Sequence, residues 1–260
     1  FDVILTNPPF GSRVEKSLEI TETDVETDVQ KIAAYEKKYG KEVYQQARSQ
    51  INDHIGDSVL DLYTVGKLSG LTEVLFIERC IRLLKPGGRL GIVLPEGVLN
   101  NTNLQAVREL FEEMAKIILI TSIPQDVFMA SGATVKPSLL FFKKFTTEER
   151  AQFDAIKQAA TEEVGSKYQS QLDKIDSFLA ERGNSAEEKK AKRAERRALE
   201  TKIAAEIWAI VKEKFDYTIP IAQVEKAGIT TTGAECENQL IDLLEEFTPY
   251  RKKHHMWASN

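Results

Sequence analysis

The chain has 260 residues, 42% hydrophobic and 29% charged, with a formal net charge of −5. That is enough to bury a core and to hold more than one unit, and the acidic balance argues against a generally basic nucleic-acid binder, so any nucleic-acid contact must be local or supplied by a partner. Cys80 and Cys236 lie far apart without metal-ligand company, suggesting neither a zinc site nor a disulfide framework, and no stretch is long or apolar enough to span a bilayer.

The run Phe1-Asp2-Val3-Ile4-Leu5-Thr6 predicts a buried strand, and Asn7-Pro8-Pro9-Phe10 ends it. Neither proline carries an N–H and both fix φ, so the strand stops near Thr6. The Asn7 side chain and the Pro8 carbonyl, claimed by no ladder, are left as two acceptors at a strand end, where open α/β sheets bind ligands. Two acceptors fit the two hydrogens of an exocyclic amine. Phe10 offers a face on which a planar base stacks, worth roughly 1–3 kcal/mol per base. By itself the tetrapeptide also fits a turn with a core aromatic; the strand in front of it favours the binding reading.

A polar insertion follows, over about residues 11–70. Within it, residues 25–51 have helical spacing at Val29, Ile32, Ala33, Tyr39 and Val43, interrupted by Gly40. Tyr63 and His54 read as a packed aromatic and an exposed histidine rather than as catalytic groups. Residues 71–84 form a helix with Val74, Ile77, Ile81 and Leu84 on one face and Cys80 on the same apolar side. The Lys85-Pro86-Gly87-Gly88 turn stops it, and Arg89-Leu90-Gly91-Ile92-Val93-Leu94 is a buried strand. Helix then strand is half of a βαβ unit. Residues 103–115 form an amphipathic helix with Leu104, Val107, Leu110 and Phe111 on one side. A strand over residues 116–122 and a continuously apolar one at Leu139-Leu140-Phe141-Phe142-Lys143-Lys144, covered on both faces, bring the strand count to four.

The first strand with Asn7-Pro8-Pro9-Phe10, the block from Leu83 to Pro95, Pro95-Glu96-Gly97-Val98-Leu99-Asn100-Asn101, Ser122-Ile123-Pro124-Gln125-Asp126-Val127-Phe128, and Ser131-Gly132-Ala133-Thr134-Val135-Lys136-Pro137 through Phe142 together resemble the amino-methyltransferases that use S-adenosylmethionine. Within these they resemble the adenine-N6 DNA methyltransferases, and in particular the methylation (M) subunit of type I restriction-modification systems. The tetrapeptide alone is shared with RNA and protein-glutamine methyltransferases; the combination of blocks is the specific feature.

The resemblance implies an α/β fold: the carboxyl-terminal half of a Rossmann-like methyltransferase sheet, with its last two strands forming the closing antiparallel pair. It assigns catalysis to Asn7, Pro8, Pro9 and Phe10. Acting on DNA, these residues hold a flipped-out adenine while a methyl group arrives from S-adenosylmethionine. In the family the glycine-rich loop and acidic residue that bind this cofactor lie upstream of the Asn-Pro-Pro block. The chain is therefore expected to be the later part of a longer protein, inactive alone, with Asn7 bordering the methyl donor. Gly87-Gly88 reads as the helix-stopping turn rather than a substitute cradle. The implied partners are DNA, a specificity subunit and a restriction subunit, with no membrane, and the implied compartment is the cytoplasm. Without neighbouring strands, residues 1–6 become an exposed apolar edge that invites dimerisation. An RNA or protein-glutamine methyltransferase and a non-catalytic assembly module stand as alternatives.

The domain boundaries are expected at residues 1–145 for the partial catalytic domain, 146–216 for a helical hairpin and 217–260 for a tail. In the hairpin, Phe153, Ile156, Ala160, Val164, Tyr168, Leu172, Ile175 and Leu179 recur at intervals of three or four. Arg182-Gly183-Asn184 breaks the pattern, and Ser185-Ala186-Glu187-Glu188 is a capping box opening a second helix, with Leu199, Ile203, Ile207, Ile210 and Val211 as its seam. The stretch from Lys189 to Arg197 is the most basic of the chain. It reads first as a solvated face, and as a nucleic-acid contact through Lys192, Arg193, Arg196 and Arg197 second. The tail again resembles type I methylation subunits, which makes the hairpin an insertion. The adjacent His254 and His255 point different ways on a helix, so no metal site is assigned.

Overall fold

The computed structural model describes residues 1–129, 132, 134–181 and 183–257. Ser131, Ala133 and Arg182, used above in the last resemblance block and the hairpin turn, lie outside the described residues. Contacts divide the chain into two units, Phe1–Lys144 with Pro220–Asn260, and Phe145–Ile219.

In the first unit, β1 (Val3–Thr6) is followed by α1 (Val29–Tyr39), α2 (Lys41–Asp53), α3 (Thr72–Leu83), β2 (Arg89–Pro95), α4 (Glu96–Asn100), α5 (Gln105–Glu112), β3 (Ala115–Ser122), α6 (Asp126–Met129) and β4 (Pro137–Lys144). β1 pairs parallel with β2, Val3 opposite Arg89 and Thr6 opposite Ile92. β4 threads between β2 and β3 and is antiparallel to both, with Phe142 opposite Leu90 on one side and Ile117 on the other. The last two strands predicted from the sequence thus do form an antiparallel pair. The helix predicted over 103–115 is shorter: its first turn is a 3-10 segment, Thr102–Leu104, and Ala115 belongs to β3, where it is fully buried opposite Lys144.

The count of four strands is one short for this sheet. After the second unit the chain returns as β5 (Ile221–Gln223), which pairs parallel with β3, giving the order β1-β2-β4-β3-β5. Three residues behind Pro220 are too few for alternation to register in a sequence. The small hairpin β6 (Ala227–Ile229) and β7 (Glu235–Asn238) and the helix α9 (Gln239–Lys253) complete the unit.

One face of the sheet carries the main core. Val74, Ile77, Ile81 and Leu84 of the α3 segment and Val107 and Phe111 of α5 pack with Leu90, Ile92, Leu94, Leu140 and Phe142, all buried. On the other face, Val3, Leu5, Gly91 and Phe141 meet Leu240, Leu244 and Phe247 of α9 across an apolar cavity of about 420 Å³. β1 is the sheet edge, and Leu5 remains 77% exposed, so the strand read from its apolar run as buried is uncovered along that side.

The second unit is an antiparallel pair, α7 (Thr147–Ala180) and α8 (Ala186–Lys214). Each starts with a reciprocal capping box, Thr146 with Glu149 and Ser185 with Glu188, which satisfies N–H groups that a helix start leaves free. Phe153, Ala160, Val164, Tyr168 and Ile175 are the buried positions of α7. Around Phe153, the rings of Phe145, Phe215 and Trp208 close the base of the pair at 5.3, 5.4 and 6.3 Å between centroids. Higher up, the Glu206 carboxylate accepts from Lys167 Nζ at 2.8 Å and from the Tyr168 hydroxyl. The hydrogen bond from Lys167, then that from Tyr168, holds the Glu206 pKa below the usual carboxylate range. A depressed folded-state pKa stabilises above the unfolded value and is lost as pH falls through the folded one. The melting temperature of the hairpin is therefore expected to drop between about pH 5 and 3, with a shallower drop in Glu206→Gln. Circular dichroism melts across that range check it; identical profiles would remove Glu206 as a cross-link.

Candidate functional site at the carboxyl end of the first strands

β1 stops at Thr6, as the prolines require. Pro8 is buried, Asn7 is exposed and Phe10 is half-buried. Gly11 turns the chain with φ +72°, a left-handed conformation that side chains other than glycine rarely adopt. The segment after it is zipped to the start of α3: Thr72 N–H donates to the Ser12 carbonyl at 2.9 Å and Val14 N–H to the Gly70 carbonyl at 2.9 Å. The Gly11 N–H donates to Glu73 Oε1 at 3.4 Å.

Phe10 meets Phe128 of α6 edge-on, with centroids 5.6 Å apart and planes at 72°. Reading the sequence gave Phe128 no role. Its only signal was membership of the Ser122 to Phe128 block, since nothing in spacing ties residue 128 to residue 10. The structure brings these two aromatics together; Asn7 and the Pro8 carbonyl stand one turn of chain before them.

A second loop is fixed nearby on the same helix. Glu78 is wholly buried and accepts from Thr64 N–H at 3.0 Å through Oε1 and from Val65 N–H at 2.8 Å through Oε2. Arg82 pairs with the same carboxylate and donates to the Leu62 carbonyl at 3.0 Å. Tyr63, between these anchors, packs on the core, and His54, read from the sequence as exposed, is half-buried with Nδ1 2.9 Å from Asp57 Oδ2.

The glycine pair after α3 is a turn. Gly87 N–H donates to the Lys144 carbonyl and Gly88 N–H to the Lys85 carbonyl, and a Cβ on Gly88 would stand 2.9 Å from Lys85 O. Neither N–H is available to a methyl donor, so this pair does not fit S-adenosylmethionine. No group of three or more His, Cys, Asp or Glu able to hold a metal occurs among the described residues. Among them, no helix is long and apolar enough to cross a membrane.

The basic residues of α8 lie in the second unit. Lys192 bonds Glu195 at 2.7 Å and stands over the Phe178 ring, and Arg196 bonds Asp176 of α7 at 2.9 Å and pairs with Glu200. Arg193 and Arg197 are exposed. Two of the four candidate contacts, Lys192 and Arg196, are thus engaged within the hairpin, a detail that charge counting does not carry.

Residues 38–205 match the N-6 DNA Methylase family, and the chain belongs to that family. Asn7 to Phe10 precede the matched range. Among solved structures, the chain is similar to one reported under the assembly and conformational transition of a type I restriction-modification system, with 25% identity, a TM-score of 0.34 and coverage of 55% of this chain and 21% of that one. It is also similar to a modification subunit of a putative type I restriction enzyme from Vibrio vulnificus YJ016, at 23% identity and TM-score 0.34, covering 55% and 22%. The M protein of the type I restriction enzyme EcoKI matches at 27% identity and TM-score 0.28, over 31% and 16%. The chain spans about a fifth of the length of the first two.

Removing the Glu78 carboxylate strands two backbone donors and leaves Arg82 without its partner. Glu78→Ala is expected to lower stability by about 2–4 kcal/mol. Urea unfolding with an unchanged m-value checks this; a loss below 1 kcal/mol would show that the loop is held by packing alone.

Proposed function

We propose that this chain carries the base-binding part of a site-specific DNA adenine-N6 methyltransferase, the modification subunit of a type I restriction-modification system. The observation that carries the reading is Asn7-Pro8-Pro9-Phe10 closing a parallel strand, with Phe128 set against Phe10, in a chain of the N-6 DNA methylase family. The type I assignment is supported by the separate sequence blocks from Leu83 to Phe142. It carries with it DNA as substrate, and specificity and restriction subunits as partners.

The amine of adenine is a poor nucleophile because its lone pair is delocalised into the ring. Its two hydrogens are taken by the Asn7 side-chain oxygen and the Pro8 carbonyl, which draws the nitrogen toward a tetrahedral geometry and stabilises positive charge as it develops. The base must leave the duplex to reach these acceptors, at a cost of a few kcal/mol. Stacking on Phe10 offsets part of that cost, and the Phe128 edge limits where the ring can stand. S-adenosylmethionine, as the methyl donor, supplies an electrophilic methyl group on a positively charged sulfur. The glycine pair described above does not cradle it, and every step assigned here belongs to the acceptor side.

In the assembled enzyme, Asn7→Ala is expected to lower methyl transfer by at least about a hundredfold while cofactor binding persists. Phe10→Ala is expected to lose about tenfold or more, and Phe10→Tyr to be tolerated. Tritiated-methyl incorporation followed by nucleoside analysis for N6-methyladenine is the test. Full incorporation by Asn7→Ala would sink the assignment, and label found in RNA or on glutamine would give the site to a different substrate.

A further inference from the structure

Glu73, in the first turn of α3, is 3% exposed, and its Oε2 is buried with no hydrogen-bond partner among the described residues. An unpaired buried carboxylate oxygen is costly, and such groups in folded proteins call for an explanation. The one side-chain hydrogen bond of Glu73 among the described residues, from Gly11 N–H to Oε1, is long at 3.4 Å. Five residues further along the same helix, Glu78 takes two consecutive backbone donors, Thr64 N–H and Val65 N–H, one on each oxygen. Glu73 holds the first donor of such a pair. The next one, Ser12 N–H, makes no hydrogen bond among the described residues.

We propose that Glu73 is the positioning residue of the base-binding loop, and that the loop has a closed position in which both Gly11 N–H and Ser12 N–H bond its carboxylate as Thr64 and Val65 bond that of Glu78. This rests on the function proposed above for Asn7 to Phe10. Gly11 can make the movement: its φ is +72°, and no atom lies within 4 Å of where a Cβ would stand. The Ser12 carbonyl stays anchored on Thr72 N–H and Oγ1, at 2.9 and 3.1 Å, so closure amounts to a turn of the Gly11–Ser12 peptide rather than a displacement of the segment. Phe10 is bonded directly to Gly11 and already meets Phe128, so bonds from both amides to Glu73 would hold the chain beside that ring in place. Glu73 touches neither base nor methyl donor; it acts by fixing the ring that does.

The test uses the assembled enzyme containing the full chain, with unmethylated genomic DNA fragments as the probe. Amide exchange is read over residues 10–14, with and without DNA, in the wild type, Glu73→Gln and Glu73→Ala. In the wild type, both Gly11 and Ser12 amides are expected to gain protection on DNA binding. A glutamine side chain keeps one carbonyl acceptor, so Glu73→Gln is expected to lose the protection of one amide. Its kcat is expected to fall about tenfold with an unchanged KM for S-adenosylmethionine, the size of one hydrogen bond to a charged group. A purely structural role would lower the melting temperature and leave the exchange response and kcat of the folded Glu73→Gln enzyme as in the wild type; that result overturns the proposal. Should Glu73→Ala fail to fold, the wild type and the glutamine variant decide. An active wild-type enzyme whose two amides gain no protection with DNA overturns the role of Glu73 alone. A wild-type enzyme that methylates no DNA adenine overturns the function beneath it.

Discussion

The carboxyl end of the sheet depends on how α3 is rotated about its axis. At about 100° per residue, Val74, Ile77 and Ile81 form the stripe that faces the sheet, and Glu73 and Glu78 fall at its two margins. Both carboxylates are buried and each meets a loop: Thr64 and Val65 serve both oxygens of Glu78, while Gly11 gives Glu73 one long bond and leaves its Oε2 without a partner among the described residues. A roll of the helix would keep apolar contacts of some kind but would strand at least one carboxylate, at a cost larger than the loss of a few methylene contacts. Apolar packing holds the helix on the sheet, and the two glutamates choose its angle. The loops are thereby placed by the same element that builds the core.

The sheet is unequal on its two faces. The side covered by α3 and α5 is closed by large aliphatic and aromatic side chains with almost no exposure. On the other side α9 leaves a cavity of about 420 Å³ lined by Val3, Leu5, Phe141 and Phe247, and the hydroxyl of Thr121, which also lines it, is buried without a hydrogen-bond partner among the described residues. Edge strands in natural proteins are usually blunted by charge, proline or a cover. β1 carries its prolines only at its end, where they stop the strand and shape the site, and leaves Leu5 and Val3 in the open.

The second unit follows different rules. Its helices form because their apolar positions recur at intervals of three, four and seven and because each start is capped, both local properties. Between the helices, ion pairs such as Arg196 with Asp176 and Lys167 with Glu206 sit at the margin of the seam. Such exposed pairs contribute little stability individually, but they set the register of two helices whose seam tolerates sliding. Arg196, one of the four basic side chains that a charge count offers to nucleic acid, is taken by such a pair, and Lys192 is taken by Glu195 within its own helix.

Much of this was legible in the sequence, for reasons specific to each element. Asn7-Pro8-Pro9 fixed the end of β1 because proline geometry is local. The hairpin, the capping boxes and the helix before Pro86-Gly87-Gly88 were readable from period and punctuation. What sequence alone could not determine was pairing across distance. β5 joins β3 from a hundred residues away through three residues that carry no pattern. Phe128 reaches Phe10, and Glu73 reaches Gly11, because the sheet brings the ends of separate strands and the start of α3 to one place. Local chemistry ends the strand at Asn7-Pro8-Pro9-Phe10; only the tertiary structure decides which aromatic and which carboxylate stand beside these residues, because those contacts are made by packing and not by sequence spacing.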